Sequence, residues 1–518
     1  MAQVVIFTGA SWNSPTKTSR LSSIKTAGAS TASTSRPLGA YQIAAILRNK
    51  GYTVQVIDYY FHLLPQTEVF VELFKKYVGP DTLWIGWSST FMQIKGKNRA
   101  AELIDHGYQN LAQDCIGFTD RGINFIKKWI REQNPNIKLV CGGAKAYSWS
   151  QQPFDFFDYF ITGYADATAL HLTDFLAGKT PRIDTIKNSN GSQSIVYDQK
   201  GSLFDFNNHA HVWHESDHLH KGISLPIEIS RGCIFKCSYC SFPLNGKKKN
   251  DFIRDSGKLI DELTYNYETF GTTHYMYADD THNDSVQKLE FLYNNVYSKL
   301  PFKIKFSTYL RLDLLAAHPY MIELLKESGL VGTFFGVESF NKEANKVIGK
   351  TASKERIMEN LWKCREFWKD DVIINIGLIL GLPNDGIDTC TEWLTESLHK
   401  DSPIDWAAIA PLQINVNGAN PLFQSDIDLD YKKYGYTFSD NSWTNNAGMT
   451  EYDANRLKEK FDIYQAEQKP RLKNWYDPHH VANLGITSEQ FYNTSVTDLK
   501  SMEEHIVQDY FNDVLKGV

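Results

Sequence analysis

Arg231-Gly232-Cys233-Ile234-Phe235-Lys236-Cys237-Ser238-Tyr239-Cys240 packs three cysteines into eight residues, in a chain that holds only seven among 518. Thiolates are soft ligands for iron-sulfur clusters. A loop this short can wrap one corner of a cluster with three sulfurs and leave one iron without a protein ligand, open to chemistry. The three lie too close together for an ordinary disulfide framework. A three-cysteine zinc site completed by a histidine and a set of buried structural cysteines are the competing readings. No His lies near the loop in sequence, and Lys236 with its polar surround speaks against an apolar niche.

Outward from this loop, strand and helix signals alternate. Strands read at residues 226–230, 275–278, 303–308, 333–337, 373–380 and 406–410, with helical patterns at 256–270, 285–300, 319–328, 353–368 and 387–400. Six strands with five intervening helices predict an incomplete parallel barrel whose strand-end loops form the active face. Cys233 follows the first of these strands directly, so the cysteine loop lies on that face.

Before the barrel, a second alternating series reads as strands at 4–7, 54–57, 83–87, 138–141 and 159–162, with helices at 39–50, 122–133 and 167–177. This predicts a doubly wound, Rossmann-like parallel sheet. Residues 11–37, rich in Ser, Thr, Ala and Gly, form a long first loop at the carboxyl end of the first strand, either a linker or a ligand-facing loop. The fold class is therefore α/β. An N-terminal domain over 1–180 is followed by a linker over 181–224, a partial (β/α)6 TIM-type barrel over 225–410, and a mixed, mainly helical cap over 411–518. The linker carries His209, His211, His214, His218 and His220 in a spacing that matches no standard zinc pattern.

A hydrophobic content of 42% and a charged content of 22% are ordinary globular values. A net charge of −6 supplies no global attraction to nucleic acid or anionic lipid. No segment approaches the roughly 18 apolar residues of a membrane span, and the first residues read as a buried strand rather than a signal peptide. An odd count of seven cysteines, three of them crowded together, fits a reducing compartment, so the expected location is cytoplasmic, with no membrane partner.

Cys-x3-Cys-x2-Cys with an aromatic before the last Cys, placed after the first strand of a six-strand βα series, closely resembles the radical S-adenosylmethionine (SAM) superfamily. The resemblance implies that Cys233, Cys237 and Cys240 hold a [4Fe-4S] cluster whose free iron is chelated by the amino and carboxylate groups of SAM, and that Tyr239 flanks the cluster near the adenine. Tyr277-Ala278-Asp279-Asp280 stands where the family binds the amino group of SAM, which implicates Asp279 or Asp280; a surface turn is the bland alternative. Arg311, in Ser307-Thr308-Tyr309-Leu310-Arg311, is offered as a fork donor to the SAM carboxylate, against an exposed helix-start Arg. Gly336-Val337-Glu338-Ser339 resembles the segment that places a Glu by the SAM ribose. Gly377-Leu378-Ile379-Leu380-Gly381-Leu382-Pro383-Asn384 resembles an adenine-side motif, with Asn384 in place of its final Glu and Ile379 retained.

The N-terminal region has a resemblance of its own. Arg36 to Asp58, with Gly39 and Gly51, then Cys141-Gly142-Gly143 and Thr162-Gly163, is similar to the cobalamin-binding domain that precedes the barrel in one radical SAM class. The usual Asp-x-His-x-x-Gly loop is absent: no His precedes His62, and Asp280-His282 and Asp477-His479 lack the Gly. The resemblance thus implies a [4Fe-4S] cluster, SAM, cobalamin without the usual His ligand, and an external electron donor such as flavodoxin or ferredoxin.

The activity expected is cobalamin-dependent methylation of an unactivated carbon. The alternatives are a cobalamin-independent rearrangement, cyclisation or dehydrogenation, and a non-catalytic iron-sulfur protein. Sulfur insertion would need a second cluster, for which only Cys115 and Cys141 are available in the N-terminal domain. The substrate, whether small molecule, nucleotide or peptide, is not legible. Lys247, Lys248 and Lys249 read either as a phosphate contact or as a solvated charge run. Trp475, Tyr476, His479 and His480 read as a stacking surface or as core.

Overall fold

The computed structural model describes residues 1–9, 35–59, 67–90, 120–152, 155–198, 200–415, 423–440, 442–469 and 478–516. The chain divides into two compact units, one of residues 1–205, 211–221 and 500–518, the other of residues 206–210 and 222–499.

The first unit is built on a seven-stranded sheet of β1 (Val4–Phe7), β2 (Val54–Ile57), β3 (Trp84–Ser88), β4 (Lys138–Gly142), β5 (Tyr159–Ile161), β6 (Thr185–Lys187) and β7 (Gln193–Ile195), in the order β2-β1-β3-β4-β5-β7-β6. All neighbours are parallel except β6 and β7. Every residue of β1 and β2 is buried, as in a parallel sheet covered on both faces. The helix Leu38–Arg48 packs with Ala165–Leu176. Phe7, Trp87, Ile130, Leu139 and Phe160 share a buried core with Tyr510 of the C-terminal helix Val496–Val514. The doubly wound expectation holds, and the order reverses at β1/β3, the switch point where such sheets bind ligands. Most of the long loop expected over 11–37, together with Cys115, lies outside the described residues.

Residues 185–195, expected within the linker, instead form the β6-β7 hairpin at the sheet edge. Their triplets Thr-Ile-Lys and Gln-Ser-Ile are short and partly exposed, and β7 is placed by pairing with β5 rather than by an apolar pattern of its own. The histidines of that segment do not converge. His211 packs edge-on against Trp213, His214 caps the 3-10 turn Glu215–Asp217, and His220 faces Asp513 at 3.8 Å.

The second unit carries β8 (Leu225–Ile227), β9 (His274–Tyr277), β10 (Lys305–Leu310), β11 (Leu330–Glu338), β12 (Ile373–Leu380) and β13 (Trp406–Pro411), all parallel and in sequential order. Sequential parallel strands joined by helices give the strand order of an incomplete barrel, as expected. The first crossover helix, Ser256–Phe270, starts where Asp255 accepts from Lys258 N and stops at Gly271 in the left-handed region, at φ 70°. Helices Val286–Asn295 and Lys354–Trp368 start with serine caps at Ser285 and Ser353.

Residues 411–518, expected as a separate cap, are shared between the two units. Helix Glu451–Gln468 covers the open edge of β13, where Gln465 both donates to and accepts from the Ala407 backbone, satisfying groups that a strand edge leaves unpaired. The turn Pro478–Leu484 packs against β9 to β12, burying Val481 and Ala482. A hairpin of β14 (Thr437–Ser439) and β15 (Ser442–Thr444) locks onto the loop after β12: Trp443 lies against Gly381, and Asn445 donates to the carbonyls of Leu382 and Asp385. From residue 500 onward the C-terminal helix belongs to the first unit. There Tyr510 accepts from Asp58 N at 2.8 Å, and Arg36 lies buried between Tyr510, Tyr59, Tyr41 and Asp58.

Candidate active site

Three neighbouring strand ends meet at the cysteine loop, which folds back on itself before it touches them. Gly246 N donates to the carbonyls of Cys233 and Phe235, and Lys247 N to that of Cys233. Gly232 has φ 71°, and a Cβ there would fall 2.5 Å from Leu244 Cβ, so the turn into the first cysteine requires glycine. The far side is braced by Ser238, which donates from N to Ile348 O and from Oγ to Val347 O. Lys247 Nζ closes the loop by donating to Arg231 O at 2.6 Å and Asp251 O at 2.9 Å, which leaves Lys248 and Lys249 as the exposed part of the charge run.

The three cysteines are free and have different neighbours. Cys233 lies by Thr281, Cys237 by Arg311, and Cys240 by Asn245 and Asp280. Burial pushes the Cys240 thiol up to about 11 and raises Cys233, so without a metal they are held as thiols. Cys141, Cys364 and Cys390 are wholly buried core residues elsewhere. Among the described residues no three His, Cys, Asp or Glu side chains converge as ligands to one ion. The loop's soft donors, differently surrounded along one glycine-dependent turn, suit a cluster whose sulfurs bind different irons.

Behind the loop, Asp279 is fully buried. Its carboxylate accepts from Ile229 N at 2.7 Å, Ser230 N at 3.0 Å and Ser230 Oγ at 2.9 Å, and Lys288 stands 3.3 Å away. Burial alone would raise this carboxyl, yet Lys288 and His282 hold it well below the usual range. Asp279 is thus spent on the entry to the cysteine loop. Asp280 faces the site, half-buried, accepting from Gly232 N at 2.9 Å.

Arg311 is also committed. Its Nε and Nη2 donate to the two oxygens of Asp313 at 3.0 and 2.5 Å, so the fork expected for a SAM carboxylate holds a side-chain carboxylate. At the end of β11, Glu338 sits after a register shift with φ 68°, accepting from Tyr239 Oη at 2.6 Å and Lys350 Nζ at 3.0 Å. Tyr239 and Glu338, proposed separately from sequence, are therefore bonded partners. Ser339 turns away, donating weakly to the buried Asp385 at 3.3 Å and accepting from Asn341 N. Ile379 lines a cavity of about 340 Å³ with Phe334, Gly377, Trp406, Ala408 and Glu338. Small residues keep this space open. At Gly377 a Cβ would fall 2.5 Å from Phe334.

Asn384, which departs from the expected Glu, pairs with Asn446: Asn384 N donates to Asn446 Oδ1, and Asn446 Nδ2 to Asn384 Oδ1, both at 2.7 Å. Sequence reading missed Lys288, Asp313, Lys350 and Asp385. For two of these a signal existed: Lys288 stands four residues after Asp284, and Asp313 two after Arg311. Trp475, Tyr476 and the side chains of His479 and His480 lie outside the described residues.

Among the described residues no helix is long and apolar enough to cross a membrane. No curated protein matches the chain. Among solved structures, the radical S-adenosylmethionine methyltransferase TsrM from Kitasatospora setae is similar in two forms, each 14% identical with a TM-score of 0.54. The form with tryptophan substrate and a SAM analogue covers 85% of this chain and 79% of that one; the form with cobalamin and a [4Fe-4S] cluster covers 87% and 82%. The cobalamin-dependent S-adenosylmethionine radical enzyme OxsB with aqua-cobalamin is 16% identical with a TM-score of 0.50, covering 89% of this chain and 62% of its own. At these identities the likeness is one of fold. The radical SAM superfamily itself matches residues 227–394, the stretch that runs from the end of β8 through the cysteine loop to the helix after β12. The chain therefore carries, over residues 227–394, a radical SAM domain.

Proposed function

We propose that this chain is a radical SAM methyltransferase that acts on an unactivated carbon with a cobalamin cofactor. The carrying observation is the three-cysteine loop at the strand ends of a parallel barrel, in a chain whose fold is shared with TsrM. When bound, the [4Fe-4S] cluster with SAM would supply a 5′-deoxyadenosyl radical for hydrogen abstraction, and cobalamin would supply a route for the methyl group.

The chain's own residues have separable tasks. Cys233, Cys237 and Cys240 would ligate the cluster as thiolates. Asp280 would accept from the amino group of SAM, and Glu338, oriented by Tyr239 and Lys350, would face its ribose. Ile379 and the small lumen residues would leave room for adenine or an apolar part of the substrate. Asp279 and Ser339 act through their neighbours. TsrM and OxsB are described with cobalamin, and the first unit offers a doubly wound sheet. The loops at its β1/β3 switch point lie largely outside the described residues, so no side chain is assigned to cobalamin. An external one-electron donor such as flavodoxin or ferredoxin, in the cytoplasm, would complete the system.

A second reading drops cobalamin and keeps the radical, since no His precedes His62 in a region where the class usually carries one. Anaerobic reconstitution with iron, sulfide, SAM and cobalamin, followed by product mass analysis, separates the two. Methyl transfer adds one methylene unit. A product of unchanged mass would favour rearrangement instead.

A further inference from the structure

Arg311 follows β10 directly, and its backbone is fixed by one side chain: its N–H donates to Asn283 Oδ1 at 2.7 Å, and Asn283 Nδ2 donates to its carbonyl at 2.8 Å. The side chain is buried, the residue being 7% exposed. One face of the guanidinium stacks on Phe235 of the cysteine loop, with Cζ 3.7 Å from the ring centroid. Nε and Nη2 are taken by Asp313. Of the N–H groups that remain on Nη1 and Nη2, Nη1 is directed at Cys237 Sγ at 3.6 Å. Three independent contacts thus aim Nη1 at one cysteine sulfur.

We propose that Arg311 is a positioning residue for the cluster. Held by Asp313, Phe235 and Asn283, it donates to the Cys237 sulfur and sets how readily the cluster accepts its electron. This rests on the cluster-binding reading above and departs from the SAM-carboxylate role that the family resemblance implies for Arg311. Reduction passes one electron from a low-potential one-electron donor to the cluster, taking [4Fe-4S] from its 2+ to its 1+ state, with no bond broken and no proton moved. The reduced cluster carries the greater negative charge. A cation and N–H donor at a ligand sulfur in a buried site favour that state and raise the reduction potential. Asp313 orients the fork and partly offsets its charge, as outer-shell partners of ligands do.

The test uses the full chain reconstituted anaerobically with iron and sulfide, as wild type, Arg311→Gln, Arg311→Lys and Asp313→Asn. Iron content, the midpoint potential from an electron paramagnetic resonance titration with dithionite, and SAM binding by equilibrium dialysis are read on each. The expected result is a midpoint more negative in Arg311→Gln than in wild type, a smaller displacement in Arg311→Lys, and SAM dissociation constants within about threefold of wild type. An unchanged midpoint in Arg311→Gln with SAM affinity weakened about tenfold or more would overturn the assignment in favour of a carboxylate donor. Should Arg311→Gln lose its iron, Arg311→Lys decides: a midpoint equal to wild type rejects the assignment, and a displaced one supports it. A wild-type chain that takes up no iron would overturn the cluster reading itself and this assignment with it, a failure visible before any variant is compared.

Discussion

Tyr239 of the cysteine loop donates its phenol to Glu338 Oε1 at the end of β11, at 2.6 Å across 99 positions of sequence. The bond ties the loop that carries the three thiols to the one residue of β11 whose backbone adopts a positive φ. A non-glycine residue there is strained and persists only when its surroundings hold it. Lys350 supplies the second hold.

Tyr239→Phe removes one donor from a buried carboxylate and is expected to lower unfolding stability by about 2 kcal/mol, in the range for hydrogen bonds to charged groups. Urea denaturation of wild type and variant checks this. Equal midpoints would mean that the Tyr239 bond contributes nothing net.

Lys288 stands between Asp279 and Asp284, at 3.3 and 3.6 Å, with no exposed side-chain surface. Lys288→Met is expected to cost about 3–5 kcal/mol, because it leaves buried carboxylate charge uncompensated. The sign with pH follows from Asp279, whose folded value is depressed below its ordinary 3.8. Its contribution is present above that value and is lost as pH falls below it, so the stability gap between wild type and variant narrows on acidification. A gap that widens in acid would contradict the pairing.

Asp385 has the opposite sign. Burial pushes its carboxyl up to about 7, against the bonds from Asn341 and Ser339, and its Oδ2 has no hydrogen-bond partner among the described residues. A raised folded value means stability is full below about 3.8 and declines as pH rises toward 7. Asp385→Asn is therefore expected to gain stability relative to wild type at pH 8 and to show little gain at pH 4, read from thermal midpoints at the two pH values. The same difference at both would show that Asp385 does not titrate in the fold.

The paired amides of Asn384 and Asn446 latch the hairpin region to the loop after β12. A double-mutant cycle with Asn384→Ala and Asn446→Ala is expected to show a coupling of about 0.5–1 kcal/mol. Strict additivity would leave the contact without energetic weight.

Most strands of both sheets were legible because parallel strands buried on two faces read as near-continuous apolar runs, as in Val4 to Phe7 and Ile373 to Leu380. The cysteine loop was legible from spacing alone. The β6-β7 and β14-β15 hairpins were not, since three-residue strands of mixed polarity carry no period. Nor could any local pattern announce that Tyr510 meets Asp58 452 residues away. The partners of Asp279 and Arg311 were not legible for one physical reason. A charged side chain at a strand end looks available in sequence, whereas burial obliges it to find a partner at once, here Lys288 and Asp313.

The most direct test of the central claim is the electron paramagnetic resonance spectrum of the anaerobically reconstituted, dithionite-reduced full chain with and without SAM, alongside iron and sulfide content. The expected result is about four irons and four sulfides per chain, a reduced-cluster signal that SAM alters, and loss of both in the Cys237→Ala variant. A signal indifferent to SAM, or iron retained undiminished in Cys237→Ala, would contradict it.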